Sequence, residues 1–261
     1  MTACTTFLFP NAVPTRAAAL YLDLLKRSLT NWIYADAEAR IAPETPFDVQ
    51  RRGEGRDWPP SAHTMIGLHR LNNLQECVET ALRERVPGDL LEAGVWRGGA
   101  SIFMRGVLQA HGVKDRRVWV ADSFAGLPPP DPVKYPHDAG INLHEFSELA
   151  VSQERVKENF ARYGLLDDQV RFLRGWFRDT LPTAPVERLA VLRLDGDLYE
   201  STTDTLTHLY PKLSVGGFVI VDDYGAVPAC RQAVHDYRQA HDITDPVVQV
   251  DWTGVYWRRS A

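Results

Sequence analysis

The sequence lacks any apolar run approaching the ~20 residues needed to cross a bilayer, so no membrane-spanning helix is expected. It also lacks a block of lysine and arginine. Acidic and basic residues are mixed along the chain and the formal net charge is -5, which argues against nucleic acid as a partner. Cysteine is scarce, with only Cys4, Cys77 and Cys230 present. Their number is odd, their spacing is wide and no CxxC pair occurs, so neither a disulfide framework nor a zinc site is expected. Thiols in a reducing cytoplasm fit better. The opening stretch MTACTTFLFPNAVPTRAAAL has no basic start before its short apolar run. It does not read as a secretory signal; a poorly ordered tail and a cytoplasmic enzyme are expected.

What is present is an alternation. The length of 261 residues suffices for one large α/β domain. Residues 18–34 carry apolar positions at helical spacing, residues 40–62 are rich in Pro, Gly and charge, and residues 63–85 return to a helical period. The middle stretch reads as a loop and a candidate lid. Strands are expected at 89–94, 117–122, 170–175, 189–195 and 216–223, with helices at 98–112, 151–164, 201–213 and 228–241. VVQVDW and GVYWRR close the chain as an antiparallel pair. Strands alternating with helices predict a Rossmann-like α/β fold, a mostly parallel seven-stranded sheet with helices on both faces. The expected division is an N-terminal tail, helix and lid over 1–62 and the main domain over 63–261. The run 122–150 is long for a connection in a compact domain and reads as a functional lid or as disorder.

In open parallel sheets ligands bind beyond the carboxyl ends of the strands. Those positions hold Glu92 to Gly99, Asp122, Gly175 with Trp176, Asp195, and Asp222 with Asp223. In EAGVWRGGAS, Gly94 permits a tight turn, and Gly98 and Gly99 let a helix begin close to a ligand. Trp96 stands where a dinucleotide fold places its second glycine, which disfavours a pyrophosphate. S-adenosylmethionine has no phosphate. Glu92 suits its ammonium and the turn's N–H groups suit its carboxylate; a plain strand-to-helix turn is the alternative. Asp122 suits a ribose diol, or else caps a turn. Trp176 stacks on adenine or fills the core. Asp195, Asp222 and Asp223 follow consecutive parallel strands. Three hard oxygen donors with no Cys or His cluster suit Mg²⁺ better than zinc; a helix cap and a solvated turn are the bland alternative.

LEAGVWRGGAS, VADSF, FLRGWFRDTLP, LRLDGDLYESTTDTL, LSVGGFVIVDDY and GVYWRR together resemble the macrocin O-methyltransferase family, which includes the mycinamicin- and novobiocin-pathway sugar O-methyltransferases. The likeness runs from LYLDLLKRSLTNWIY through DWPPSAHTMIGLHRLNNLQ to the C-terminus. It implies a class I methyltransferase with an N-terminal helical and lid extension, acting on a sugar hydroxyl of a glycosylated small molecule in antibiotic biosynthesis. It further implies Mg²⁺ at Asp195, Asp222 and Asp223, and Asp195 as general base. Cofactor contacts are implied at Thr64, Met65, Glu92, Ala93, Gly94, Val95, Trp96, Arg97, Asp122, Ser123, Gly175 and Trp176. A homo-oligomer is expected. Catechol O-methyltransferase, a wider relative, has a lysine three positions after its first metal aspartate; here that position is Leu198, which favours an aspartate base.

A sugar hydroxyl is a weak acid, so proton removal is the hard part of the reaction. His144 is the second candidate for the base, and Trp58 a candidate lid aromatic. A nicotinamide-dependent oxidoreductase shares Asp122 but lacks G-x-G-x-x-G and leaves the three aspartates unexplained. A non-catalytic cofactor-binding protein is the other alternative; it would show no metal dependence.

Overall fold

The computed structural model describes residues 15–37 and 46–261. The tail reading, Cys4 and part of the expected lid fall outside them. A helix α1 (Arg16–Leu29) and a short helix α2 (Val49–Glu54) precede α3 (Gly67–Arg83). Then β1 (Asp89–Ala93), α4 (Gly99–Ala110), β2 (Val118–Asp122), α5 (Gln153–Arg162), β3 (Val170–Arg174) and α6 (Phe177–Thr180) follow. The chain continues through β4 (Leu189–Leu194), α7 (Tyr199–Leu209), β5 (Leu213–Val221) and α8 (Pro228–Ala240) to the hairpin β6 (Val248–Gln249) and β7 (Val255–Arg258). The sheet order is β3-β2-β1-β4-β5-β7-β6. The first five strands are parallel, and β7 runs antiparallel to both of its neighbours. Among the described residues no helix is long and apolar enough to cross a membrane.

Alternate residues of each strand feed two cores. Leu90, Val118, Val120 and Ile220 face α1, α3, α4 and α5, while Leu91, Ala93, Trp119, Ala121, Leu192 and Val221 face α7 and α8. Burial on both faces is why these strands read as near-continuous apolar runs. All five expected parallel strands are present. Several element limits differ, three of them as follows. The first helix stops at Leu29, because Asn31 turns to φ 50. The region expected as loop contains α2, capped by the Asp48 side chain at its start and by Gly55 in the left-handed conformation at its end. The last parallel strand begins at Leu213 rather than at the Gly-Gly pair, and its pairing with β4 shifts register between Leu189 and Val191.

The 122–150 run is an ordered loop with three 3-10 turns. Its anchor is Asp138, fully buried, whose two oxygens accept the N–H groups of Tyr199 (2.6 Å) and Glu200 (3.1 Å). The N-cap position of α7 is Leu198, which has no side-chain acceptor to offer. A residue distant in sequence supplies that cap instead, at a helix end whose N–H groups need partners.

Candidate active site

Backbone hydrogen bonds continue the sheet one residue past the strand tips. Gly94 N–H donates to Ala121 O (2.9 Å), Asp195 N–H to Ala93 O (2.8 Å) and Asp222 N–H to Leu194 O (2.9 Å). This sets the ends of β1, β4 and β5 side by side. The consequence is a cluster: Asp195, Asp222 and Asp223 each offer a carboxylate oxygen, and these oxygens lie within 4.8 Å of one another.

Two buried arginines brace the cluster. Arg193 donates to Glu92 Oε1 (2.6 Å) and Asp195 Oδ2 (2.8 Å), and also to Asp222 Oδ1. Arg70 of α3 donates to Asp222 Oδ2, to Asp251 Oδ2 (3.0 Å) and to Gly55 O (3.1 Å). Asp223 Oδ2 accepts the Asp197 N–H (3.0 Å). No donor among the described residues reaches Asp195 Oδ1. Five acids, Glu92, Asp195, Asp197, Asp222 and Asp223, thus crowd around two arginines. Burial pushes the carboxyl of Asp195 up to about 6, with Asp222 adding to the shift, and that of Asp197 up to about 7, with Asp195 and Asp222 adding. Burial, then Asp197 and Asp195, raise Asp223 as well. The site is short of positive charge. Its donors are hard carboxylate oxygens, which suit Mg²⁺ in chemistry and charge.

The cluster forms one wall of a cavity of about 320 Å³. Thr64, Met65, Glu92, Gly94, Val95, Trp96, Asp122, Ser123 and Trp176 line the same cavity with the three aspartates. Ala93, Arg97 and Gly175 do not. Ala93 belongs to the core, and Gly175 is a turn residue whose N–H donates to Asp122 O (2.9 Å). Glu92 is buried in the wall, its Oε2 accepting the Ser101 hydroxyl and its Oε1 held by Arg193. Asp122 accepts the N–H groups of Val95 (2.7 Å) and Phe124 (2.7 Å), so it shapes the Gly-rich turn directly. Burial raises its carboxyl, opposed by those backbone hydrogen bonds. His144 is exposed and does not line the cavity.

Sequence reasoning missed Arg70, Asp197, Glu200 and Asp204, all of which line the cavity. It also missed Arg193, although an arginine inside the apolar run LAVLRLD is a signal in itself: buried charge demands a partner. The expected lid is tied down by Arg97, which donates to the carbonyls of Pro59 (3.2 Å), Pro60 (2.8 Å) and Ala62 (2.8 Å). Trp96 Nε1–H donates to Glu148 O (2.8 Å), and Trp58 meets Phe146 edge-on at 6.3 Å. Residues 46–62 and the 122–150 loop therefore touch above the Gly-rich turn.

Comparison with known proteins places this geometry. The chain is 60% identical over 253 residues to mycinamicin III 3''-O-methyltransferase of Micromonospora griseorubida, covering 95% of this chain and 99% of that protein. It is 61% identical over 247 residues to 8-demethyl-8-(2,3-dimethoxy-alpha-L-rhamnosyl)-tetracenomycin-C 4'-O-methyltransferase of Streptomyces olivaceus, covering 94% of each. The solved structure of the O-methyltransferase NovP superposes with a TM-score of 0.90 at 56% identity, over 94% of this chain and 100% of that one. The fold is that of the class I methyltransferases. The profile of the Macrocin-O-methyltransferase (TylF) family matches residues 37–259, and the chain belongs to that family of O-methyltransferases.

Proposed function

We propose that this enzyme methylates a sugar hydroxyl on a glycosylated secondary metabolite of antibiotic biosynthesis, with S-adenosylmethionine as donor and Mg²⁺ at Asp195, Asp222 and Asp223. The supporting observation is the meeting of those three carboxylates in one wall of a cavity that the Gly-rich turn and Asp122 also line. The relatives' names point the same way, one of them specifying a rhamnosyl-bearing acceptor. Family membership sets aside the nicotinamide-dependent and non-catalytic alternatives.

S-adenosylmethionine supplies a methyl group already activated by its sulfonium. Bound at the three aspartates, a divalent cation supplies Lewis acidity that favours ionisation of a neighbouring hydroxyl. The chain's own residues do the rest. The Gly94–Trp96 turn, Asp122, Ser123 and Trp176 hold the donor, with Thr64 and Met65 closing over it. Asp195 accepts the hydroxyl proton at Oδ1, the oxygen that carries no protein donor. Residues 46–62 and the 122–150 loop cover the site and exclude water, so that positioning contributes to the rate. The chain acts in the cytoplasm and as a homo-oligomer in this reading. The test is a mass-spectrometric screen of glycosylated natural products for the gain of one CH₂, with and without Mg²⁺. Methylation that persists in thoroughly demetallated protein defeats the metal role; no gain on any glycosylated acceptor defeats the substrate class.

A further inference from the structure

We propose that Arg193 is the positioning residue of the metal site: one rigid guanidinium sets the orientation of two of the three converging aspartates. The inference rests on the reading of Asp195, Asp222 and Asp223 as a cation site. Arg193 sits in β4 beside Glu92 of β1 in register, with Ile220 of β5 on its other side. Its side chain is 1% exposed. All its ion pairs among the described residues go to Glu92, Asp195 and Asp222. A guanidinium is planar and its N–H groups form a fixed fork, so carboxylates that share it cannot rotate independently.

The fork is itself held from behind. Glu92 Oε2 accepts the Ser101 hydroxyl, which pins Glu92 to α4, and Glu92 Oε1 then pins Arg193 at 2.6 Å. The chain of contacts ends at the aspartates: Arg193 takes Oδ2 of Asp195 and Oδ1 of Asp222, while Arg70 takes Oδ2 of Asp222. A carboxylate oxygen accepts two hydrogen bonds or ligands, so each Asp222 oxygen keeps one direction open, and that direction is fixed. An ordinary core ion pair would neutralise one partner. Arg193 instead aligns the donor set, as the groups behind metal ligands do elsewhere.

The experiment compares wild-type protein with Arg193→Lys, which keeps the buried charge and loses the fork. Mn²⁺ binding is followed by the loss of the free-ion EPR signal, with circular dichroism as the control. The expected result is a Mn²⁺ Kd raised about tenfold or more and a lowered kcat in a protein that keeps its circular dichroism spectrum. A folded variant with wild-type Mn²⁺ affinity overturns the proposal and leaves the metal site standing. Wild-type protein that takes up no Mn²⁺ removes the metal reading and this inference together, without recourse to the variant. If Arg193→Lys does not fold, a crystal structure of the wild-type protein with Mn²⁺ decides: a guanidinium still joining Asp195 to Asp222 supports the proposal, and one turned away from both overturns it.

Discussion

Gly94 and Asp195 approach so closely that a methyl group on the first would lie 1.7 Å from the carbonyl oxygen of the second. Gly94 also has φ 88, a conformation that L side chains avoid. The crossing of two strand tips thus requires a residue without a side chain. Gly94→Ala is expected to cost at least ~3 kcal/mol, combining backbone strain with overpacking. In a domain of this size that corresponds to a fall in melting temperature of roughly 6–12 °C. Scanning calorimetry of the variant checks it; a melting temperature equal to wild type would show that the two tips can part freely.

Asp195→Asn keeps the shape of the side chain and removes its basicity. The expected loss in kcat is about 10²–10⁴, the range for a positioned general base, with S-adenosylmethionine binding retained. Single-turnover methyl transfer with labelled donor measures it. Near-normal turnover with metal still bound would take Asp195 out of the base role.

Asp138→Ala removes both acceptors from the start of α7 and the anchor of the 122–150 loop. A loss of about 1–2 kcal/mol is expected for the cap. The acceptor KM should rise while the donor KM holds, because the loop borders the cavity through Leu127, Leu143 and Leu149. Chemical denaturation and steady-state kinetics on the two substrates separate these effects; equal shifts in both KM values would count against a role confined to the acceptor side.

His63 is half-buried and hydrogen-bonded to the Tyr163 hydroxyl at 2.7 Å. Burial, reinforced by Arg162, Arg97 and Arg155, pushes its imidazole down to about 4 from 6.5. Between those values the unfolded chain binds a proton that the folded chain does not. This contribution to stability is therefore present above pH 6.5 and is lost as pH falls toward 4. The melting temperature should drop more steeply across that window in the wild type than in His63→Gln. Parallel slopes would assign the acid sensitivity to other groups.

The parallel sheet and much of the candidate site's lining were legible because strands buried on both faces leave uninterrupted apolar runs, and each run here stops at a carboxylate or a glycine. The meeting of Asp195 with Asp222 and Asp223 follows from two strands lying side by side, a topological rule that needs no atomic detail. What stayed hidden depends on partners distant in sequence. Arg70 sits on a helix where an arginine reads as solvated surface, and only the folded chain brings Asp222 and Asp251 to it. Asp138 lies 61 positions before the helix it caps. The short helix α2 lay in a stretch whose Pro, Gly and charge content outweighed its two local caps.

The hairpin β6–β7 reaches into the site as well. Asp251 holds Arg70, and the Thr253 hydroxyl donates to Asp222 O at 2.8 Å. During synthesis this hairpin leaves the ribosome after every other strand of the sheet. The nascent chain can gather most of its framework, Arg193 included, before the Arg70–Asp251 and Thr253–Asp222 contacts become possible. The last contacts behind Asp222 are thus made only after all five parallel strands exist.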